Sequence, residues 1–223
     1  MKFKTCVSIA ERTPNKVNQV LKIALKKSDY AEIRFDFLKI EQIPTTLNLI
    51  KKNLNKTVCT LRPKNEGGQF EGSEKERIRI LKLIAEYNPF LLDVEFNTLQ
   101  KNSELTKYLK TTKTKILVSW HDFKKTPNST ELKKKLTSMG KFSQNIKIVS
   151  TAKSTDDSTR MLELYSKKGK RNLIALSMGD NGRISRILCL YLGSPFTYVS
   201  LGKPVAPGQF SIDEVRKITN LKK

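Results

Sequence analysis

The 223-residue sequence has one histidine, one tryptophan and three cysteines, and its 21 acidic residues face 43 lysines and arginines. Each shortage excludes something. No apolar run approaches the roughly 20 residues that a membrane-spanning helix needs; the longest, such as 187–192 (ILCLYL), are short. The apolar stretch that follows the basic start ends at Ala10, too early for the core of a secretory signal. Cys6, Cys59 and Cys189 are odd in number, widely spaced and set among apolar residues. They read as buried, reduced thiols of a cytoplasmic protein rather than as a disulfide framework. A single histidine, with no C-x-x-C pair beside it, argues against a zinc site. No stretch rich in Gly, Pro or Ser divides the chain, so one domain is expected over 1–223.

What is abundant is positive charge, a net +22. Such an excess suits either nucleic acid or an enzyme that handles an anion. Nucleic-acid readers carry a helix-turn-helix, a zinc signature or a basic stripe interleaved with aromatics. None is present, and the lysines are scattered through helical segments. A small anionic substrate is therefore expected, with no nucleic acid and no membrane as partner.

Eight short β-branched or apolar runs recur along the chain: 5–10 (TCVSIA), 31–37 (AEIRFDF), 56–62 (KTVCTLR), 90–96 (FLLDVEF), 115–121 (KILVSWH), 146–152 (IKIVSTA), 173–178 (LIALSM) and 196–201 (FTYVSL). Helical signals lie between them. Thr13-Pro14 reads as a cap with Pro at the first helical position, ahead of Val17, Val20, Leu21 and Ala24. Ser73 to Glu76 and Ser211 to Glu214 are capping boxes, in which each end supplies the other's missing hydrogen bond. Eight strand–helix units imply parallel strands and an α/β fold, a (β/α)8 TIM barrel. A doubly wound open sheet is the alternative.

Residues two apart in a strand share a face. Glu32, Arg34 and Asp36 fall together, as do Thr60 with Arg62, Asp93 with Glu95, Ser119 with His121, and Val149 with Thr151 and Lys153. Parallel strands are covered on both faces, so these polar rows point to a site rather than to water. Most lie near the C-terminal ends of their runs, where barrels carry their chemistry. His121 is the one ordinary side chain that titrates near neutrality. Lys153 is either one surface lysine among many or an amine with a depressed pKa, able to attack a carbonyl and form an imine. The loop 60–73 lacks the Lys-Ser or Lys-Thr of a phosphate-binding loop and can instead place Arg62 and Glu66 beside a substrate. Residues 206–209 (APGQ) form either a plain turn or a lid that carries Gln209.

Taken in order, EIRFDFL (32–38), TLRPKNEGG (60–68), LLDVEF (91–96), SWHDFKKTP (119–127), the lysine of STAKS (150–154), SMGDNGRISR (177–186) and APGQ (206–209) resemble type I 3-dehydroquinate dehydratase over nearly the whole chain. That family is a (β/α)8 barrel of the shikimate pathway. It dehydrates 3-dehydroquinate to 3-dehydroshikimate through an imine, on the way to chorismate and the aromatic amino acids. The resemblance implies Lys153 as the imine-forming amine, His121 as general acid and base, and Glu66 as the group that orients it. It implies Asp93 in support, Arg186 for the substrate carboxylate, and Glu32, Arg34, Arg62, Gln209 and Ser8 around the ring hydroxyls. It further implies no cofactor and a homodimer; no metal is expected beside a single histidine, and no fused shikimate dehydrogenase is expected in a chain that starts and ends close to its barrel. The chain departs from the family pattern at Val205, Tyr198 and Leu176, which are expected to bear on affinity and loop closure and not on the lysine–histidine chemistry. An aldolase or transaldolase reaction on the same barrel is the competing enzymatic reading. The pairing of His121 with Glu66, suited to elimination, stands against it.

Overall fold

The computed structural model describes residues 3–219. Strand and helix alternate from the start: β1 (Thr5–Ile9), α1 (Pro14–Lys27), β2 (Tyr30–Arg34), α2 (Ile43–Ile50), β3 (Thr57–Thr60), α3 (Glu74–Glu86) and β4 (Leu91–Glu95). Two short helices follow, α4 (Phe96–Lys101) and α5 (Ser103–Thr111). Then come β5 (Ile116–Asp122), α6 (Ser129–Met139), β6 (Asn145–Thr151), α7 (Thr155–Leu162), β7 (Asn172–Met178), α8 (Ser185–Tyr191), β8 (Thr197–Val199) and α9 (Ile212–Thr219).

The sheet order is β7-β6-β5-β4-β3-β2-β1-β8. Every neighbouring pair is parallel. Each strand lies beside its predecessor and β8 returns to β1, so the sheet curls into a nearly closed (β/α)8 barrel. An open doubly wound sheet reverses its strand order partway, and no reversal occurs here.

Alternation along the strands separates two cores. Cys59, Leu92, Val118, Ile148 and Ala175 point outward and pack with helix residues such as Leu21, Leu81 and Leu136. Their sequence neighbours Val58, Leu91, Leu117, Val149 and Ile174 gather with Cys6, Phe196 and Tyr198 in a second cluster, which fills the barrel interior. The three cysteines are free and buried. Farther along the strands the inward positions turn polar, so the apolar plug forms a floor and the charged residues stand above it.

Local signals position the helices largely as the sequence indicates. Both capping boxes form: Ser73 Oγ accepts from the Glu76 amide, and Ser211 Oγ from that of Glu214. Thr13 caps α1 without a side-chain hydrogen bond, and Val20 is only half-buried. Strand β2 is shorter than its apolar run. A 3-10 turn at Phe35–Phe37 lifts Asp36 off the pleat, so it does not line the barrel with Glu32 and Arg34. Among the described residues no helix is long and apolar enough to cross a membrane.

Candidate active site

A cavity of about 170 Å³ opens at the C-terminal ends of the strands. Its most charged wall comes from β3 to β6. Arg62, just past β3, is 3% exposed. It donates to Asp93 Oδ2 at 2.7 Å, Glu95 Oε1 at 2.6 Å and Ser119 Oγ at 2.7 Å. Ser119 Oγ donates to the other Asp93 oxygen at 2.5 Å. Lys147, midway along β6 and opposite Ser119 in the register, donates to Asp93 Oδ2 at 3.2 Å and lies 3.8 Å from Glu32. Burial opposes ionisation of Asp93, but Arg62 and then Lys147 outweigh it and hold its carboxyl below the usual range. Because each buried charge has a charged, hydrogen-bonded partner, the network tolerates the low dielectric.

His121, near the end of β5, has a side chain 9% exposed, and its Nδ1 lies 3.1 Å from Glu66 Oε2. Burial, and after it the charges of Arg62, Lys147 and Arg34, holds the imidazole well below its usual pKa. It is therefore neutral at pH 7. Burial pushes the Glu66 carboxyl up to about 7, with Arg62 opposing and Glu95 and Asp93 adding to the rise. When Glu66 is ionised it accepts a hydrogen bond from Nδ1–H, which leaves the Nε2 lone pair free as a base. The Phe123 ring stacks near His121, 6.2 Å between centroids, and lies over Gly67. Gly67 has φ +76°, and a Cβ there would come within 2.2 Å of the Phe123 ring. The exposed Phe123 ring can shift, so it is the positive φ that favours glycine at this turn.

The third part of the wall is a chain from the last loop back to β2. Gln209 accepts from the Val205 amide at 2.9 Å and donates to Ser8 Oγ at 3.3 Å. Ser8 Oγ donates to Glu32 Oε2 at 3.0 Å, and Thr60 Oγ1 donates to the other Glu32 oxygen at 2.8 Å. The 205–209 loop is thereby tied over the mouth. Arg34 lines the cavity while its fork is held by both oxygens of Asp36, at 2.9 and 2.7 Å. Arg186 differs from the other cations. It is 3% exposed, donates Nη2 to the Pro207 carbonyl at 3.0 Å, leaves Nε unpaired, and has no carboxylate partner among the described residues. Burial drags its pKa down to about 10.

The structure therefore brings together His121, Glu66, Glu32, Arg34, Arg62, Arg186, Gln209 and Ser8 around one cavity, with Asp93 buried behind it. It does not bring Lys153. Strand β6 ends at Thr151, and the chain then turns into the cap of α7. The Lys153 amide donates to Asp157, its carbonyl accepts from Asn181, and its side chain is exposed outside the cavity. The pleat that would have aimed residue 153 inward has already ended.

The lysine in the cavity is Lys147, six residues earlier and on the same strand face. Its sequence signal was a cation inside the apolar run IKIV. A lysine within a parallel strand covered on both faces must be buried, and a buried lysine must be paired. Tyr198 also belongs here. Its ring centroid lies 4.4 Å from Lys147 Nζ, so this departure from the family pattern does touch the amine, contrary to expectation. The Tyr198 hydroxyl is buried and has no hydrogen-bond partner among the described residues. Val205 and Leu176 line the cavity as apolar surface.

The family model for type I 3-dehydroquinase matches residues 5–223. A 3-dehydroquinate dehydratase from Methanococcus vannielii is 35% identical over 97% of this chain and 98% of its own length. Another, from Pyrococcus abyssi, is 37% identical over 90% of each chain. Among solved structures, the type I 3-dehydroquinate dehydratase of Clostridium difficile, crystallised with covalently modified comenic acid, has a TM-score of 0.88 at 26% identity. That alignment covers 98% of this chain and 92% of the other.

Proposed function

Because the chain belongs to the type I 3-dehydroquinase family, we propose that it dehydrates 3-dehydroquinate to 3-dehydroshikimate through an imine on Lys147. The observation that carries this reading is the placement of Lys147. Its amine sits inside a cavity that also holds a neutral histidine and an arginine with no acidic partner among the described residues.

Each group then has a task. The Lys147 amine adds to the substrate ketone, and water leaves as the imine forms. The iminium draws electrons from the adjacent carbon, whose proton passes to His121 Nε2. Glu66 holds the opposite ring nitrogen and steadies the imidazolium. The resulting enamine expels the hydroxyl at the next carbon, and His121 returns its proton to the departing oxygen. Water then hydrolyses the conjugated iminium, releasing the enone and the free amine. One molecule of water is lost overall. Arg186 receives the substrate carboxylate, for which its planar fork is suited. Glu32, Arg34, Ser8 and Gln209 face the ring hydroxyls. Asp93 holds Lys147 before the substrate arrives. The same proposal carries a homodimer acting in the shikimate pathway, both from the family resemblance, and a cytoplasmic location, from the three free, buried cysteines.

The test is borohydride reduction in the presence of 3-dehydroquinate, read by intact mass and peptide mapping. A covalent adduct on Lys147 is expected, together with enone absorbance in the unreduced reaction. An adduct mapped to Lys153, or none on folded protein, would overturn the assignment. Replacing His121 by Ala is expected to lower turnover by roughly 10²–10⁴-fold while trapping on Lys147 persists.

A further inference from the structure

Arg77 points from the outer helix α3 toward the barrel wall, and its side chain is 1% exposed. It lies on the same helix as Ile80, Leu81 and Ile84, which pack into the apolar shell. A buried guanidinium among such neighbours is costly unless its hydrogen-bonding capacity is used. Here it is used widely. Nε and Nη2 grip the Glu74 carboxylate at 2.8 and 2.9 Å, and Nη2 also reaches Thr98 Oγ1. Nη1 donates to the Leu61 carbonyl at 3.2 Å and to Glu95 Oε2 at 2.6 Å.

Glu95 is thus divided between two arginines, with Oε2 on Arg77 and Oε1 on Arg62, both at 2.6 Å. Arg62 then holds Asp93 Oδ2 at 2.7 Å, and the same oxygen receives Lys147 Nζ at 3.2 Å. An unbroken line of charge-assisted bonds runs from a surface helix to the amine in the cavity. Neither Arg77 nor Glu95 lines that cavity.

We propose that Arg77 is a positioning residue for the reaction: through Glu95 it fixes Arg62, and through Arg62 it fixes Asp93 against Lys147. The proposal rests on the reading of Lys147 and His121 as the reacting pair. It has an electrostatic consequence at Glu66. The titratable and charged groups facing Glu66 are neutral His121 from β5, Arg62 from the end of β3, Asp93 and Glu95 from β4, and Lys135 from α6. Removing Arg77 takes away one of the two cations on Glu95. The less compensated charge then keeps the Glu66 proton on to higher pH.

The experiment compares wild type with Arg77→Met, Arg77→Lys and the double variant Arg77→Met/Glu95→Gln. Turnover is read across pH from the enone absorbance, with borohydride trapping on Lys147 and circular dichroism alongside. A misplacement of about 1 Å in a catalytic group costs on the order of 10²-fold. Arg77→Met is therefore expected to lower kcat by about 10- to 100-fold. KM should change by less than about three-fold, because Arg77 touches none of the groups assigned to substrate binding. The acid limb of kcat/KM should move up by about half a pH unit or more. Arg77→Lys keeps the charge without the fork, so it should hold the limb and recover part of kcat. The double variant should restore the limb while kcat stays low.

Folded Arg77→Met with wild-type kcat would overturn the proposal. So would a fall in kcat with the limb unmoved, which marks a packing role alone. If Arg77→Met does not fold, Arg77→Gln retains a donor for Glu95 without charge, and the same two readouts decide. Wild-type protein that neither turns over nor traps on Lys147 removes the underlying assignment instead, and the proposal with it.

Discussion

On the β3–β6 side of the cavity the buried ions stand in partnered arrays before any ligand arrives. On the opposite side Arg186 has no carboxylate partner among the described residues. On the first side Arg62, Asp93, Glu95 and Lys147 neutralise one another, and their geometry is set by the protein. On the second, the cavity lining includes apolar Leu176, Met178 and Val205 beside one buried cation with no acidic partner among the described residues. The first side suits groups that must already be in place when reaction begins. The second gains most when an anion enters, so it suits recognition. In the proposed reaction, a substrate carboxylate would supply at Arg186 what Asp93 supplies at Lys147.

The largest expected effect lies with the reactive amine. Lys147→Met should abolish trapping and lower turnover by about 10⁴-fold or more, since it removes the nucleophile. Lys153→Met should leave turnover within about two-fold, as an exposed surface substitution does. Comparable activities in these two variants would contradict the assignment.

The two arginines test the contrast directly. Arg62→Met leaves Asp93 and Glu95 short of a partner and should cost about 3–5 kcal/mol of stability, read as a lowered denaturation midpoint. Arg186→Met strands no acid, so its midpoint should not fall. It should instead raise KM by about 10- to 100-fold, the worth of a charged hydrogen bond. Equal losses of stability at the two positions would dissolve the comparison.

A smaller change is expected from Glu66→Gln. With Glu66 intact, activity should fall as pH drops through about 7, because the protonated carboxyl no longer accepts from His121 Nδ1–H. The Gln variant should be slower at neutral pH. Its acid limb should move to lower pH, set by an imidazole that burial keeps reluctant to protonate. A limb that stays near neutrality in Glu66→Gln would assign it to another group.

Smallest of all is Tyr198→Phe. Removing a buried hydroxyl without a partner should leave stability unchanged or raise it by about 1 kcal/mol. The ring face beneath Lys147 is retained, so kcat should change only a few-fold. A large loss of turnover would give the hydroxyl a part in the reaction.

The barrel was legible because its signals are local and repeated. β-branched runs, capping boxes and Pro14 each act within a few residues, and eight repetitions leave little choice of topology. Most of the cavity was legible for the same reason. The two-residue alternation placed Glu32, Arg62, Asp93 and His121 on inward faces. Lys153 failed where alternation itself fails. The rule holds only while the strand lasts, and β6 stops two residues too soon. Asp36 failed likewise, in the 3-10 turn that ends β2. Lys147 obeyed the rule and was hidden only by the apolar residues around it.

The sequence by itself determined the alternation of strands and helices and the inward rows, and it singled out His121 as the one histidine, while the pairing with Glu66 was implied by the family resemblance alone. The alternation and the rows follow from periodicity, and the singling out of His121 from the scarcity of histidine. Only the tertiary structure decided which lysine shares the cavity, which arginine lacks an acid among the described residues, and how Arg77 reaches Lys147 by four hydrogen bonds through three buried side chains, Glu95, Arg62 and Asp93. The reason is physical. A charge inside a protein is defined by partners that come from distant parts of the chain, and no local pattern records who those partners are.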